Sequence, residues 1–435
     1  MAPTSSNWSR TQRCTPTRVE QPTTEDEIVA LVTAARTTGT KVKVVGARHS
    51  WSDIAMSDGV IVSLDRMQEV VEIDEQRGCV RVQAGIRLDR LNEALAAKGL
   101  ALPILGSVCE QSLAGVMSTG THGSSLVHGN IPSFVIGLRL VTGTGELVVI
   151  DEEHPLLNAA RVGLGALGII TEVTIRVGPA FQLCETTEVL DFASALANMQ
   201  AIARSAEYVK LWWLPHTSEV IVFRCERTSE PGEVSRLLRW VDRVIVNMLL
   251  FGLVLWLGRH WPGLIPAANG LVARTYLKPR CTVGRSDQIL SLAMPPRHRE
   301  TEYALPLDRA AEALSRTRAL IESSGVRVNF ITEVRFVKAD DGWMSPASER
   351  DSCQLGAYMA QAPGIDGYFA GFEEQMKQLG GRPHWGKEFR ASAKELREMY
   401  PRADAWAQKV RELDPDGVFR NPFLDRVLPA PRRRP

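Results

Sequence analysis

Apolar positions along the first 180 residues switch repeatedly between a helical and an alternating period. Thr23-Thr24-Glu25-Asp26-Glu27 sets a hydroxyl cap and early acids ahead of Ile28, Leu31, Val32 and Ala35, which predicts an amphipathic helix. Positions 41–45 and 60–64 are short β-branched runs expected as strands, and 70–73 with 79–84 reads as a hairpin. A helix follows over 88–95 and stops at Lys98-Gly99. Strands are then predicted over 135–142 and 146–150, joined by the tight turn Gly143-Thr144-Gly145, and over 169–177. Beyond Gly178-Pro179, strand candidates at 209–214, 219–225 and 329–337 alternate with helices. The pattern predicts an α+β protein, and 435 residues exceed what one core usually holds. Two domains are expected, over 14–180 and 181–435.

One segment departs from both periods. Positions 244–258 are an apolar run between Arg243 and Arg259, with Trp261 just beyond. As a helix it would span roughly 22 Å, short of the ~30 Å hydrocarbon layer. A helix packed in a core and a peripheral membrane contact both fit it, and a true span does not.

Composition narrows the partners. With 51 basic and 50 acidic residues the net charge is +1, so no field draws the chain to nucleic acid, and Arg432-Arg433-Arg434 reads as a solvated end. Seven cysteines stand singly, the nearest two thirty residues apart (Cys79 and Cys109), with no metal-ligand spacing. Residues 1–20 hold no apolar signal core, so a reducing compartment, the cytoplasm, is expected, with membrane association left open by 244–258.

Three glycine-rich stretches are candidates for cofactor chemistry. Gly163-Leu164-Gly165-Ala166-Leu167-Gly168 satisfies GxGxxG, but a helical stretch precedes it and a strand follows. A Rossmann site needs the reverse order, so a close-packed turn is expected instead. Gly46-Ala47-Arg48-His49-Ser50 ends a strand, and Ser118-Thr119-Gly120-Thr121-His122-Gly123 follows some seventy residues later. Glycines and hydroxyls let backbone N–H groups approach a phosphate, and a histidine on a tight turn can reach the edge of a flat cofactor. The two stretches read as two walls of one flavin site.

Further motifs come in a telling order. Leu105-Gly106-Ser107 and Gln111-Ser112-Leu113 precede the second wall, and downstream lie Glu333-Val334-Arg335, Arg382-Pro383-His384-Trp385-Gly386-Lys387, Asp414-Pro415-Asp416-Gly417-Val418-Phe419 and Asn421-Pro422-Phe423-Leu424. In order and spacing the chain closely resembles the sugar-1,4-lactone oxidases, which include D-arabinono-1,4-lactone and L-gulonolactone oxidases. These belong to the vanillyl-alcohol-oxidase type of flavoproteins. The resemblance implies a two-subdomain FAD-binding domain over 14–180 and an α+β substrate, or cap, domain over 181–435, with the C-terminal segment folding back on the first. It implies FAD bonded covalently through His49, against the alternative of a histidine that only hydrogen-bonds the ring. Gly46, Ala47, Arg48, Ser50, Gly106, Ser107, Ser112, Ser118, Gly120, Thr121, His122 and Gly123 would contact the cofactor. Ile169 or Ile170 would offer backbone to the adenine, and His122 is equally well explained as structural. Gly106 either leaves room for oxygen or permits a turn.

Taking hydride from a carbinol requires a destination for the hydroxyl proton and positive charge near the reduced ring. Glu333 and Arg335, two apart in a predicted strand, share a face. The resemblance gives Arg335 and Lys387 the role of stabilising charge, Glu333 that of orienting hydroxyls or moving the proton, and Ser107 and His384 contacts to substrate or flavin. A surface ion pair is the alternative for the charged trio. Other histidines, His298 among them, are expected to be structural. The implied reaction is oxidation of a sugar lactone, or of a polyol on the same scaffold, with oxygen giving hydrogen peroxide or with another acceptor.

Overall fold

The computed structural model describes residues 4–428 apart from 236, 238, 239, 276, 277 and 293, so the arginine tail lies outside the described residues. After a short antiparallel pairing of Ser5–Ser6 with Arg13–Cys14, β1 (Arg18–Glu20), β2 (Val42–Val45) and β3 (Val60–Ser63) form a parallel sheet in the order β1-β3-β2. Between β1 and β2 runs α1 (Glu25–Thr38), capped by the Thr24 hydroxyl, which accepts from the Glu27 amide, and ended by Gly39 at φ +68°. Its Ile28, Val32 and Ala35 are buried, whereas Leu31 is only half-buried.

A second sheet of this half holds β4 (Val70–Asp74), β5 (Cys79–Gln83), β6 (Val135–Val141), β7 (Leu147–Ile150) and β8 (Ile169–Arg176), all antiparallel in the order β7-β6-β8-β5-β4. The predicted hairpins are present. Helices α2 (Leu88–Ala96), α3 (Leu113–Thr119) and α4 (Leu157–Ala160) connect these strands. The GxGxxG stretch is the turn from α4 into β8. At Gly168 a built Cβ would lie 2.7 Å from the Val141 carbonyl oxygen, so the glycine serves close packing of the turn on β6.

After Gly178-Pro179, which pairs with Leu100–Ala101, the chain enters an eight-stranded antiparallel sheet. Its strands are β9 (Gln182–Asp191), β10 (Tyr208–Trp213), β11 (Glu219–Thr228), β12 (Cys281–Arg285), β13 (Arg299–Pro306), β14 (Thr332–Val337), β15 (Ser352–Met359) and β16 (Arg382–Pro383). The order is β12-β9-β11-β10-β14-β15-β13-β16. Strand β14 begins three residues later than the pattern predicted, and before it the Asn329 side chain accepts from the Ala360 amide.

Between β11 and β12 the chain makes a helical excursion with α5 (Val241–Phe251), α6 (Gly252–His260) and α7 (Ile265–Thr275). Leu255 packs on Phe330 and Ala360, while Met248, Leu249, Leu250, Leu253, Trp256, Trp261, Leu264 and Leu271 are exposed. Among the described residues no helix is long and apolar enough to cross a membrane.

Helices α8 (Ala310–Ser324) and α9 (Ile365–Gln378) bring an apolar stripe of Ala313, Leu314, Ile321, Tyr368, Phe372 and Met376 into the main core, together with Val334, Phe336 and Leu355 of the sheet. Burying each large side chain contributes about 1.5–3 kcal/mol. Alternation along β14 then turns Glu333 and Arg335 to the opposite face. The halves join where the Ser125 amide donates to the Phe336 carbonyl and the Lys338 amide donates to that of Ser125.

Helices α10 (Ala403–Leu413) and α11 (Pro422–Val427) close the chain. Here the C-terminal segment meets the first half: the Val42 amide donates to Val418, and the Asn421 side chain donates to the carbonyls of Ile54 and Met56. The buried Lys43 ammonium points at the carbonyl oxygens of Gly165 (3.1 Å) and Phe419 (3.5 Å), tying β2, the GxGxxG turn and the C-terminal segment together.

Candidate active site

Gly46 follows β2, and a Cβ there would sit 2.0 Å from the Ser112 hydroxyl, so glycine lets this turn pack closely against the residue that precedes α3. Ala47 follows it, and Arg48 adopts φ +60°, a left-handed conformation costly for a side chain of this size. Its carbonyl accepts from the Trp8 amide. This turn presents His49, whose ring stacks at 6.1 Å on Trp8. Burial, then the charges of Arg87 and Lys387, lower its pKa to about 4, so the imidazole is neutral at physiological pH. Its Nδ1 is buried and has no hydrogen-bond partner, and the same holds for Nε of Arg48 and of Arg335. Unpaired buried polar atoms on the adjacent Arg48 and His49 suit a bound group that supplies the missing contacts.

The second wall closes α3, whose preceding residue Ser112 meets Gly46. Ser112 precedes α3, Gly120 ends it at φ +75°, and the Ser118 carbonyl accepts from Leu164. Thr121 accepts from the Ile131 amide, and a Cβ at Gly123 would lie 2.5 Å from the Leu105 carbonyl oxygen. Gly106 has no left-handed φ, so a turn does not explain it; a Cβ there would meet the Thr121 methyl at 3.1 Å. Ile169 and Ile170 pair with β6, while pairing of β8 with β5 begins only at Glu172, leaving the backbone of these two isoleucines outside that ladder.

Facing the walls, the eight-stranded sheet supplies charge. Glu333 is buried and accepts from Trp212 Nε1 (2.8 Å), Tyr358 Oη (2.8 Å) and Arg335 (2.9 Å). Burial pushes its carboxyl up, but the Arg335 and Lys210 charges and these hydrogen bonds outweigh it, leaving the pKa below the ordinary value. Burial likewise opposes charge on Arg335, and Glu333 overcomes it, so the guanidinium stays charged. Arg335 also donates to the Ser107 hydroxyl, joining the sheet to the loop beside Gly106. The expected alternative of a surface pair does not hold for Glu333 and Arg335.

Lys387 follows β16, and its ammonium lies 2.5 Å from Glu300, 3.7 Å from Glu302 and 4.3 Å from the centre of the Trp51 ring. The two stretches meet in backbone too: the Trp51 amide donates to Gly386, and the Ser52 hydroxyl donates to Trp385. Next to Trp51, the Ser50 carbonyl accepts from the Asn7 side chain. His384 Nδ1 accepts from the Gly386 amide, which leaves the proton on Nε2. Its pKa falls to about 3, chiefly through burial, so the ring is neutral. His122 Nε2 lies 2.9 Å from Glu302 and Nδ1 lies 2.8 Å from the Gly123 carbonyl, so both ring nitrogens are engaged within the protein. Burial raises the Glu302 carboxyl and the charges of His122 and Lys387 more than offset it, holding Glu302 well below the usual range. Ligand atoms of His122, Glu302 and His384 lie within 4.8 Å of one another. Within this triad the Glu302 carboxylate is bonded to His122 and has the Lys387 ammonium beside it, while the His384 ring is bonded to the Gly386 amide.

Several residues of this site escaped the sequence reading. Glu300 and Glu302 alternate along β13 in Arg299-Glu300-Thr301-Glu302, a period-two pair of acids that signals one charged strand face. Trp8, Trp212 and Tyr358 carried no local signal. His298, expected as structural, lies against Trp8, Trp51, Phe330 and Tyr358, and its carbonyl accepts from Trp51 Nε1.

Comparison with known proteins bears on this arrangement. A family described as D-arabinono-1,4-lactone oxidase matches residues 173–427, and one described as FAD binding domain matches 16–151. The chain is 33% identical to L-gulonolactone oxidase of Bos taurus over 97% of both chains. It is 34% identical to L-gulono-1,4-lactone dehydrogenase of Mycobacterium tuberculosis, over 98% of this chain and 100% of the other. D-arabinono-1,4-lactone oxidase of Eremothecium gossypii is 33% identical over 95% of this chain and 93% of its own. Cholesterol oxidase from Brevibacterium sterolicum superposes with a TM-score of 0.83 at 17% identity, covering 99% and 97% of the two chains, which shows a shared fold.

Proposed function

Because this chain belongs to the D-arabinono-1,4-lactone oxidase family, we propose that it oxidises a sugar-1,4-lactone at its C2 hydroxyl with oxygen as acceptor. FAD held by the 46–50 and 118–123 turns would supply a hydride acceptor and a route for the electrons to oxygen, with hydrogen peroxide as the product. The observation that carries this reading is a pair of largely buried cations on the sheet side of the site, Arg335 held by Glu333 and Lys387 held by Glu300, with the Lys387 charge acting on His49.

Each protein group has a distinct task. Arg335 holds the substrate oxygen as negative charge develops on it, and Lys387 does the same from the β16 side. Glu333, saturated by three donors, fixes Arg335 and remains an anion, so it is not the base. The hydroxyl proton leaves toward the Glu300 carboxylate beside the Lys387 ammonium. The resulting 2-keto lactone tautomerises to an ascorbate-type enediol. Neutral His49, with Nδ1 unpartnered, is in the form that can take a carbon substituent, and we assign it the covalent link to the flavin. Backbone of the 46–50 and 118–123 turns would hold the pyrophosphate, and that of Ile169 or Ile170 the adenine.

Anaerobic mixing with pentono- and hexonolactones beside xylitol and sorbitol tests the proposal. Lactones should bleach the flavin absorbance and the polyols should not; a polyol that reduces it faster overturns the substrate class. A second reading, a dehydrogenase using another acceptor, is favoured by the name of the Mycobacterium tuberculosis relative. Oxygen consumption measured with and without an artificial acceptor separates the two. We further assign the exposed apolar face of α5 to α7 to a lipid surface, supported by Trp256 and Trp261 beside Arg259 and His260. Sedimentation with anionic vesicles should be lost in Leu253→Asp, and equal sedimentation of both proteins overturns this contact.

A further inference from the structure

The cysteines that stand far apart in sequence do not all stay apart in the fold. Cys184 lies on β9 and Cys281 opens β12, 97 residues later, and their sulfurs are 3.1 Å from each other. Both are free thiols, with Cys281 exposed and Cys184 half-buried. The distance exceeds a disulfide bond of ~2.05 Å by about 1 Å. No other two cysteine sulfurs are in contact among the described residues.

The location of the pair gives it a mechanical role. β12 is an edge strand of five residues that pairs only with β9, from Gln182–Arg285 to Thr186–Cys281. It is also where the 229–280 excursion re-enters the sheet. Noncovalent anchoring at that root includes the Thr187 amide donating to Arg280, the Arg280 amide donating to the Thr187 hydroxyl, that hydroxyl donating to Lys278, and the Arg280 guanidinium donating to Glu185 of β9 at 3.4 Å. We propose that Cys184 and Cys281 form a reversible disulfide that fastens the C-terminal root of the excursion to β9.

A hydroperoxide can supply the oxidation in two balanced steps. Cys281 thiolate attacks a peroxide oxygen, the O–O bond breaks, the departing oxide takes the thiol proton, and a sulfenic acid forms. Cys184 sulfur then displaces the hydroxyl from that sulfur; the S–S bond forms, the S–O bond breaks, and water leaves with the Cys184 proton. Two thiols thus lose two electrons and two protons, and the peroxide is reduced by the same two electrons. The order follows from exposure. The hydrogen bond with Cys281, with burial behind it, pushes the Cys184 thiol up to about 11, which keeps it protonated until its partner has reacted.

The test treats the full-length flavin-loaded protein with equimolar hydrogen peroxide, alkylates it, and maps peptides without reduction. Peptides containing Cys184 and Cys281 should be joined with loss of two hydrogens and separated by dithiothreitol. Proteolysis within 229–280 should slow about fivefold in the oxidised protein and recover on reduction, since fastening the root suppresses local opening. Cys281→Ser should abolish both changes. Cys281 found as an isolated sulfinate or adduct beside a free Cys184 overturns the pair, and a joined pair with unchanged proteolysis overturns the fastening.

Discussion

The turns at 46–50 and 118–123 bring mainly backbone, hydroxyls and the neutral His49 to their side of the site, with Arg48 as the one arginine among them, whereas the eight-stranded sheet opposite and the segment after it bring Glu300, Glu302, Glu333, Arg335 and Lys387. The contrast follows from the cost of burying charge. Backbone donors can meet a phosphate without carrying charge themselves, so one stretch of chain can make a whole wall. A buried ion needs a partner at close range, and on a sheet that partner comes from a neighbouring strand. The turn-lined side is therefore local in sequence, and the charged side is assembled from β10, β13, β14, β15 and the segment after β16.

The largest effect should come from breaking the charged side. Arg335→Met should lower kcat about 10³-fold in stopped-flow flavin reduction. It should also cost about 3–5 kcal/mol in denaturant unfolding, because Glu333 is left buried and unpaired. Adding Glu333→Gln should restore most of the stability and none of the rate. If the double variant remains as unstable as the single one, the pairing argument fails. Lys387→Met should slow flavin reduction about 10²-fold; an unchanged rate would reassign Lys387 to a structural tie with Glu300.

On the opposite wall, acid precipitation of the wild-type protein should keep the yellow colour in the pellet, and His49→Ala should release it. Colour leaving both proteins equally would remove the covalent link. Lys43 tests the first half away from the chemistry. Burial pulls its pKa from 10.5 to about 7, opposed by the Asp414 charge. Between these values the unfolded chain binds the extra proton, so stability should rise with pH from 7 toward 10.5 and be at its lowest below 7. Lys43→Met should flatten that rise in a series of thermal melts, and an undiminished slope would show that other groups produce it. The smallest change is expected for Gly106→Ala, which presses on the Thr121 methyl and should slow reoxidation by oxygen while reduction stays constant. Equal slowing of both half-reactions would assign Gly106 to packing alone.

Much of the first half was legible because its signals act over a few residues. The Thr24 cap, the hairpins at 70–83 and 135–150, and the helix-turn-strand order around Gly163–Gly168 each follow from neighbouring side chains. Glu333 and Arg335 were legible as a pair because alternation alone puts them on one face. Glu300 and Glu302 were missed although the same alternation marks them, since nothing nearby in sequence said that Lys387 would face them. Trp212 and Tyr358 could not be read at all: they reach Glu333 only because β10 and β15 flank β14.

By itself, then, the order of residues determined the turns, caps and strand faces, and through its motifs the kinship with lactone-oxidising flavoproteins. Tertiary structure alone decided which buried acid meets which cation, that His298 borders the site, and that Cys184 meets Cys281. The reason is range: turn and helix preferences arise within a few bonds, whereas neighbours in an antiparallel sheet are chosen by the whole set of strands competing for pairing and burial.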